Sequence, residues 1–141
     1  MAVEDNIEVV RRVAETLTRR DWDAFEALFA DDLEWTIGPT GRVIHGPAEL
    51  VEGYRAFTTA FPDVTVVSVN LIGHGDLVAH EWTARGTHTG PLLRPDGSES
   101  PPTGRSFERS GVGMVELRDG KILRYRDYYD RQTMAEQLGL D

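Results

Sequence analysis

The last third of the chain ends in a strand-like run, Lys121 to about Asp130, in which carboxylates, arginines and tyrosines alternate. Side chains of a strand point to opposite faces by turns, so Leu123, Tyr125, Asp127 and Tyr129 share one face and Arg124, Arg126, Tyr128 and Asp130 the other. The first face is the more apolar. An aspartate among aromatic rings in a dry pocket loses hydration, which raises its pKa towards the range useful to a general acid or base near neutral pH. Such a carboxylate takes an acidic proton from a carbon between two carbonyls, and the same dryness protects the enolate from water. The competing reading of Asp127 is an ordinary ion pair with Arg126 or Arg109.

A proton donor is also needed. Leu77 to His88 alternates as a long strand that puts His80, Trp82 and Ala84 on one face; if that face is concave, His80 can share protons with Asp127. Otherwise its imidazole is satisfied by a backbone carbonyl or solvent. His88, within Gly86 to Gly90 (GTHTG), is either a contact at a pocket rim or a turn residue, and the turn is preferred. Trp35, Tyr54, Trp82, Tyr125 and Tyr129 suit the wall of a pocket for a planar, poorly polar substrate, or simply a packed core. No metal site is expected, because His80 and His88 lie roughly 26 Å apart on an extended strand and His45 and His74 fall in loops.

Composition narrows the partners. With 15 Lys+Arg against 24 Asp+Glu the net charge is −9, which repels nucleic acid and anionic membranes and leaves a hydrophobic small molecule or a second copy of the chain. The absence of cysteine removes disulfides, thiolate nucleophiles and thiolate metal sites, and fits a cytoplasmic protein. The start, MAVEDNIEVV, carries neither a signal sequence nor a membrane span, so residues 1–141 are expected to be one domain and the whole mature chain.

The elements that must position these residues follow from spacing. Ile7, Val10, Ala14 and Leu17 form one stripe of a first helix. Asp21 caps a second, through Trp22, Phe25, Leu28 and Phe29, before Asp31 and Asp32. Leu33 to Ile37 reads as a strand, and Pro47 opens a third helix that Pro62 ends. Four strands follow as a meander: Val64 to Ile72, Leu77 to His88, Phe107 to Leu117 and the closing run, with Asp119-Gly120 a hairpin turn. Thr89 to Ser106, crowded with Pro and Gly, reads as a loop, and a short helix through Met134 and Leu138 closes the chain. Helices first and a curved antiparallel sheet afterwards is an α+β order. Val66 and Met114 are expected on the convex sheet face, where they would pair with a second subunit as a homodimer.

The order of elements resembles the cone fold of the nuclear transport factor 2-like superfamily. FPD at Phe61 to Asp63, GTHTG, PPTGR at Pro101 to Arg105, and DGKI at Asp119 to Ile122 followed by YRDYYD and QLG at Gln137 to Gly139 resemble its SnoaL-like polyketide cyclases. The resemblance implies helices packed over the concave face of a cone-shaped sheet, a pocket between them, and cofactor-free ring closure of polyketides by intramolecular aldol chemistry. It also implies that the acid/base is Asp127, by its place after Arg126, rather than Asp130. Two departures are visible: Gly113 stands where the cyclase pattern has a histidine, and Trp82 and Ala84 stand where the epoxide hydrolases of the superfamily have an Arg-x-Asp pair. Epoxide opening, and non-catalytic binding or oligomerisation, are the alternatives the resemblance leaves.

Overall fold

The protein is described by a computed structural model that covers residues 2–94 and 96–140. Helix α1 (Val3–Arg19) buries Val10, Val13, Ala14 and Leu17, and its last turn closes on Arg20 in the left-handed conformation. Asp21 caps α2 (Trp22–Glu26) by accepting the Ala24 N–H at 3.2 Å. Strand β1 (Phe29–Ile37) starts four residues earlier than expected. The helix-like spacing of Phe25 and Phe29 is produced instead by a turn at Ala27 and Leu28 that brings the two rings to 5.0 Å, after which Ile122 donates its N–H to the Leu28 carbonyl.

After β2 (Arg42–His45), α3 (Pro47–Ala60) begins on Pro47, whose missing N–H would have had no partner in the first turn. Then come β3 (Thr65–His74), β4 (Leu77–Thr87), β7 (Ser106–Arg118), β8 (Lys121–Tyr129) and α4 (Arg131–Leu138). The expected loop between β4 and β7 contains a two-stranded ribbon, β5 (Leu92–Leu93) with β6 (Glu99–Ser100), too short for a periodicity to reveal. Asp119 and Gly120 both take positive φ, 51° and 76°, as a primed hairpin turn demands.

The six-stranded sheet runs β2-β1-β8-β7-β4-β3. Its one parallel pairing, β1 with β8, sets Trp35 beside Tyr125 and Ile37 beside Asp127. Edge strand β3 is shielded by α1 and the residue after it: Thr18 Oγ1 bonds both the N–H and the C=O of Val66, and the Arg20 guanidinium donates to the carbonyls of Pro62 and Val64. An extra residue at Val69, between Ser68 and Asn70, shifts the pairing with β4. Val66 therefore pairs with buried Ala84 and packs on the core, not on the convex face; Val67, Val69 and Ile72 are the exposed apolar residues of β3, and Met114 is half-buried.

The interior divides in two. A larger cluster under α1, α2 and α3 runs from Val10 through Phe25, Leu33 and Trp35 to Tyr125. A smaller one joins Phe61, Val64, Trp82 and Phe107 to Met134 and Leu138 of α4. The aspartate of β8 sits where they meet.

Candidate active site

Two glycines of β7 make the site possible. Inward positions of this strand read Phe107, Arg109, Gly111, Gly113 and Val115, and the two glycines leave gaps in the concave face. Trp82 of β4 lies across the first gap: a Cβ on Gly111 would stand 2.8 Å from Trp82 Cε2 and closer still to Cζ2. The Tyr125 ring of β8 lies across the second, its hydroxyl 2.5 Å from where a Gly113 Cβ would be. Any side chain at either position would displace an aromatic ring. The register then puts Leu71, His80, Gly113, Asp127 and Ile37 in one row across five strands.

Asp127 is 5 % exposed, and its Oδ1 accepts the Trp82 indole N–H at 3.0 Å. Among the described residues, no hydrogen bond reaches Oδ2 and no ion pair joins the carboxylate to Arg109 or Arg126. Burial pushes its pKa up to about 7, although the Trp82 hydrogen bond and the Arg109 charge pull it down. The group therefore changes protonation near neutral pH with one oxygen uncommitted. Asp130, three residues on, accepts the Thr133 N–H as the cap of α4 and its pKa is lowered by hydrogen bonds to Thr133.

His80 is 1 % exposed and has spent both ring nitrogens: Nδ1 is 2.9 Å from the Tyr125 hydroxyl and Nε2 2.8 Å from Ser68 Oγ. It does not bond to Asp127, which lies two strands away, roughly 10 Å between backbones. Desolvation, helped by the charge of Arg11, lowers the imidazole to about 4, so it is neutral at physiological pH. Sharing of protons between His80 and Asp127 has no route through these contacts.

Trp35 stacks on Tyr125 with centroids 3.8 Å apart and planes 6° from parallel, and Tyr54 meets the Trp35 edge at 6.0 Å. With Val13, Ala14 and Leu17 of α1 and Phe57 of α3, these rings close over His80, Trp82, Arg109 and Asp127 around a cavity of about 40 Å3. That is room for a few water molecules. Pockets that take drug-sized ligands measure roughly 300 Å3 or more, so a substrate must part this wall on entry. Tyr129, half-buried, touches the site through Trp82, at 5.9 Å, and through Arg109.

His88 is neither a rim contact of this cavity nor a turn residue, but follows directly on β4. It is fully buried against Phe61, where its Nδ1 accepts the Thr103 N–H at 3.3 Å and its backbone bonds Gly104 and Arg105, anchoring the PPTGR segment. A groove of about 590 Å3 lies at the other end of β8, bordered by Asp23, Asp31, Asp32, Arg118 and Lys121. It is larger but open, and its Arg118 is already committed to Asp32 at 2.6 Å. Among the described residues no cluster of three His, Asp or Glu is placed to hold a metal ion, and no helix is long and apolar enough to cross a membrane.

Sequence reasoning misses Ser68 and Gly111, and it meets Arg109 only as an ion-pair partner for Asp127 and Gly113 only as a departure from the cyclase pattern. The signal was present for β7, because alternation back from Val115 turns Arg109, Gly111 and Gly113 inward together.

Comparisons with known proteins agree with this architecture. No curated protein matches the chain. Wild-type IdmH from Streptomyces antibioticus, a candidate polyketide cyclase, is 29% identical over 96% of this chain and 99% of its own, with a TM-score of 0.77. A candidate SnoaL-like polyketide cyclase from Jannaschia sp. CCS1 superposes with a TM-score of 0.84 at 20% identity, covering 98% of this chain and 94% of that one. AclR from Streptomyces galilaeus, a candidate hydroxylase, reaches 0.82 at 20% identity over 98% of this chain and 87% of its own. At 20% identity the last two speak for the fold alone. The family model for SnoaL-like polyketide cyclases matches residues 7–138, nearly the entire cone with its aspartate, and the chain belongs to that family.

Proposed function

We propose that the protein is a cofactor-independent cyclase that closes a ring in a polyketide-like metabolite by intramolecular aldol-type chemistry, with Asp127 as both base and acid. The observation that carries this reading is a buried carboxylate with one oxygen free, set among aromatic rings whose burial of it pushes its pKa up to about 7. Asp127 takes a proton from a carbon between two carbonyls, and the C–H electron pair moves into an enolate. The enolate carbon attacks a second carbonyl of the same molecule, and the new alkoxide recovers the proton from Asp127. The step is an isomerisation and consumes nothing else. Rings that hold the chain folded supply proximity, and their dryness keeps the enolate alive.

Epoxide opening receives less support, because Asp127 is the sole carboxylate among the residues lining the cavity. His80 serves as a positioning group: neutral and doubly bonded, it fixes the Tyr125 ring that lies between it and Asp127 in the sheet. For the convex face, where Val67, Val112 and Tyr128 are exposed, we propose a second copy of the chain, which light scattering would report as a dimer. The catalytic reading is tested without knowing the natural substrate by following exchange of the acidic protons of cyclic and acyclic 1,3-diketones in deuterated water by NMR. The wild-type protein should accelerate exchange and Asp127→Asn should not; equal rates for the two would remove Asp127 from the chemistry.

A further inference from the structure

Arg109 is a half-buried cation lining the site that forms no ion pair among the described residues, although its charge is felt by Asp127. Its guanidinium carbon lies 4.3 Å from the centre of the Tyr129 ring, 5.3 Å from Phe57 and 5.7 Å from both Trp82 and Phe107. Those rings hold the charge but accept few hydrogen bonds. Nη1 donates at 3.0 Å to the thioether of Met134, a weak acceptor, and Nε is buried with no partner. Among the described residues Arg109 forms no ion pair, although Asp127 lines the same cavity. A half-buried guanidinium whose Nε is out of water and unpartnered is costly as a structural device. It is well suited to receive an oxygen that becomes negative only during a reaction.

We propose that Arg109 is the oxyanion-receiving group of this site, binding the enolate oxygen of a 1,3-dicarbonyl ligand while Asp127 carries the proton. This deepens the cyclase reading and rests on it for the identity of the ligand. When Asp127 accepts the substrate proton its own charge disappears and a new one forms on the carbonyl oxygen. Total charge in the cavity is unchanged, and the negative end moves from the carboxylate to the ligand oxygen, within the field of the same guanidinium. The ionisable groups facing this space are Asp127 and Tyr129 of β8, Tyr54 of α3, Tyr125 of β8 and His80 of β4, and each tyrosine and the histidine is held neutral by burial, leaving Arg109 as the charged partner. The Gly111 gap matters here too, since it lets the Trp82 ring lie across β7 with the Arg109 guanidinium carbon 5.7 Å from its centre and its indole N–H on Asp127.

The test uses 4-nitrophenol, an enolate mimic whose phenolate is coloured, and its neutral ether 4-nitroanisole. They are titrated into the protein below the pH of about 7 at which Asp127 ionises, where the protonated carboxyl beside a bound phenolate copies the state after proton transfer. The wild-type protein should bind nitrophenol as the coloured phenolate and prefer it over the anisole by about 10- to 100-fold, the worth of one hydrogen bond to a charged group. Arg109→Met, which keeps the packing volume, should lose the colour and the preference while still binding the ether, and Arg109→Lys should keep part of both. Asp127→Asn should retain phenolate binding although it abolishes proton exchange, which separates failure of this proposal from failure of the cyclase reading. The proposal is overturned if the wild type binds nitrophenol uncoloured, shows no preference or binds neither compound. It is equally overturned if the colour survives in Arg109→Met.

Discussion

His80 and Asp127 occupy the same row of the sheet, two strands apart, and both are nearly out of water. Burial favours the uncharged form of each, raising the carboxylate to about 7 and lowering the imidazole to about 4. What separates them is what remains unbonded. His80 has given one nitrogen to Tyr125 and the other to Ser68, a completed structure that holds an aromatic ring in place. Asp127 keeps one oxygen free beside an unpaired cation, so its proton is the one that can travel. Equal burial thus yields a fixed strut on one strand and a reactive group on another, and the hydrogen-bond inventory decides which is which.

The largest expected effect breaks the comparison at its reactive end. Asp127→Asn should lower turnover by about 10²–10⁴-fold, the usual worth of a general acid–base group, with melting temperature retained. His80→Gln should cost activity far less; if the two losses are equal in a steady-state assay, the division between strut and acid/base fails.

The next prediction concerns stability against pH, where the two groups pull in opposite directions. Asp127 has a folded-state pKa above its ordinary 3.8, so its contribution is complete at or below 3.8 and is lost as pH rises through about 7, a span of roughly 4 kcal/mol. His80 has a folded-state value below its ordinary 6.5, so its contribution is complete above 6.5 and is lost as pH falls through about 4, roughly 3 kcal/mol. Between about 4 and 6.5 the slopes nearly cancel. Urea titrations of Asp127→Asn should therefore show stability falling on acidification across that window, and those of His80→Gln should show it rising.

Smaller effects sharpen the picture. Tyr125→Phe removes the hydroxyl bonded to His80 and should destabilise by about 1–3 kcal/mol, the cost of a buried unpaired polar group, with turnover changed less than about tenfold. Trp82→Phe removes the one hydrogen bond that holds the Asp127 carboxylate down. The midpoint of the pH–rate profile should move about one unit to higher pH.

Much of this was legible in the chain because local chemistry wrote it. Asp119-Gly120 dictated the final hairpin, Pro47 the start of α3, and alternation the inward set on β4 and β8. The parallel pairing of β1 with β8 was not legible, since the partners are separated by most of the chain and no turn joins them. The phase of β3 depends on a one-residue bulge at Val69, which no periodicity announces, and so plain alternation puts Val66 on the wrong face. His88 lay beyond local rules because its burial comes from a loop fifteen residues downstream folding over it. The pocket was expected, but its shape was not legible for a related reason: it depends on the absence of side chains at Gly111 and Gly113, and an absence has meaning only when the rings that fill it are known.

The central claim is that the Asp127 carboxyl exchanges its proton near neutrality because the fold has dried it. Titration of the side-chain carboxyl carbon of Asp127 by ¹³C NMR, assigned through loss of the signal in Asp127→Asn, measures this directly. A midpoint near 7 is expected; a midpoint at the ordinary carboxylate value of 3.8 would contradict the account.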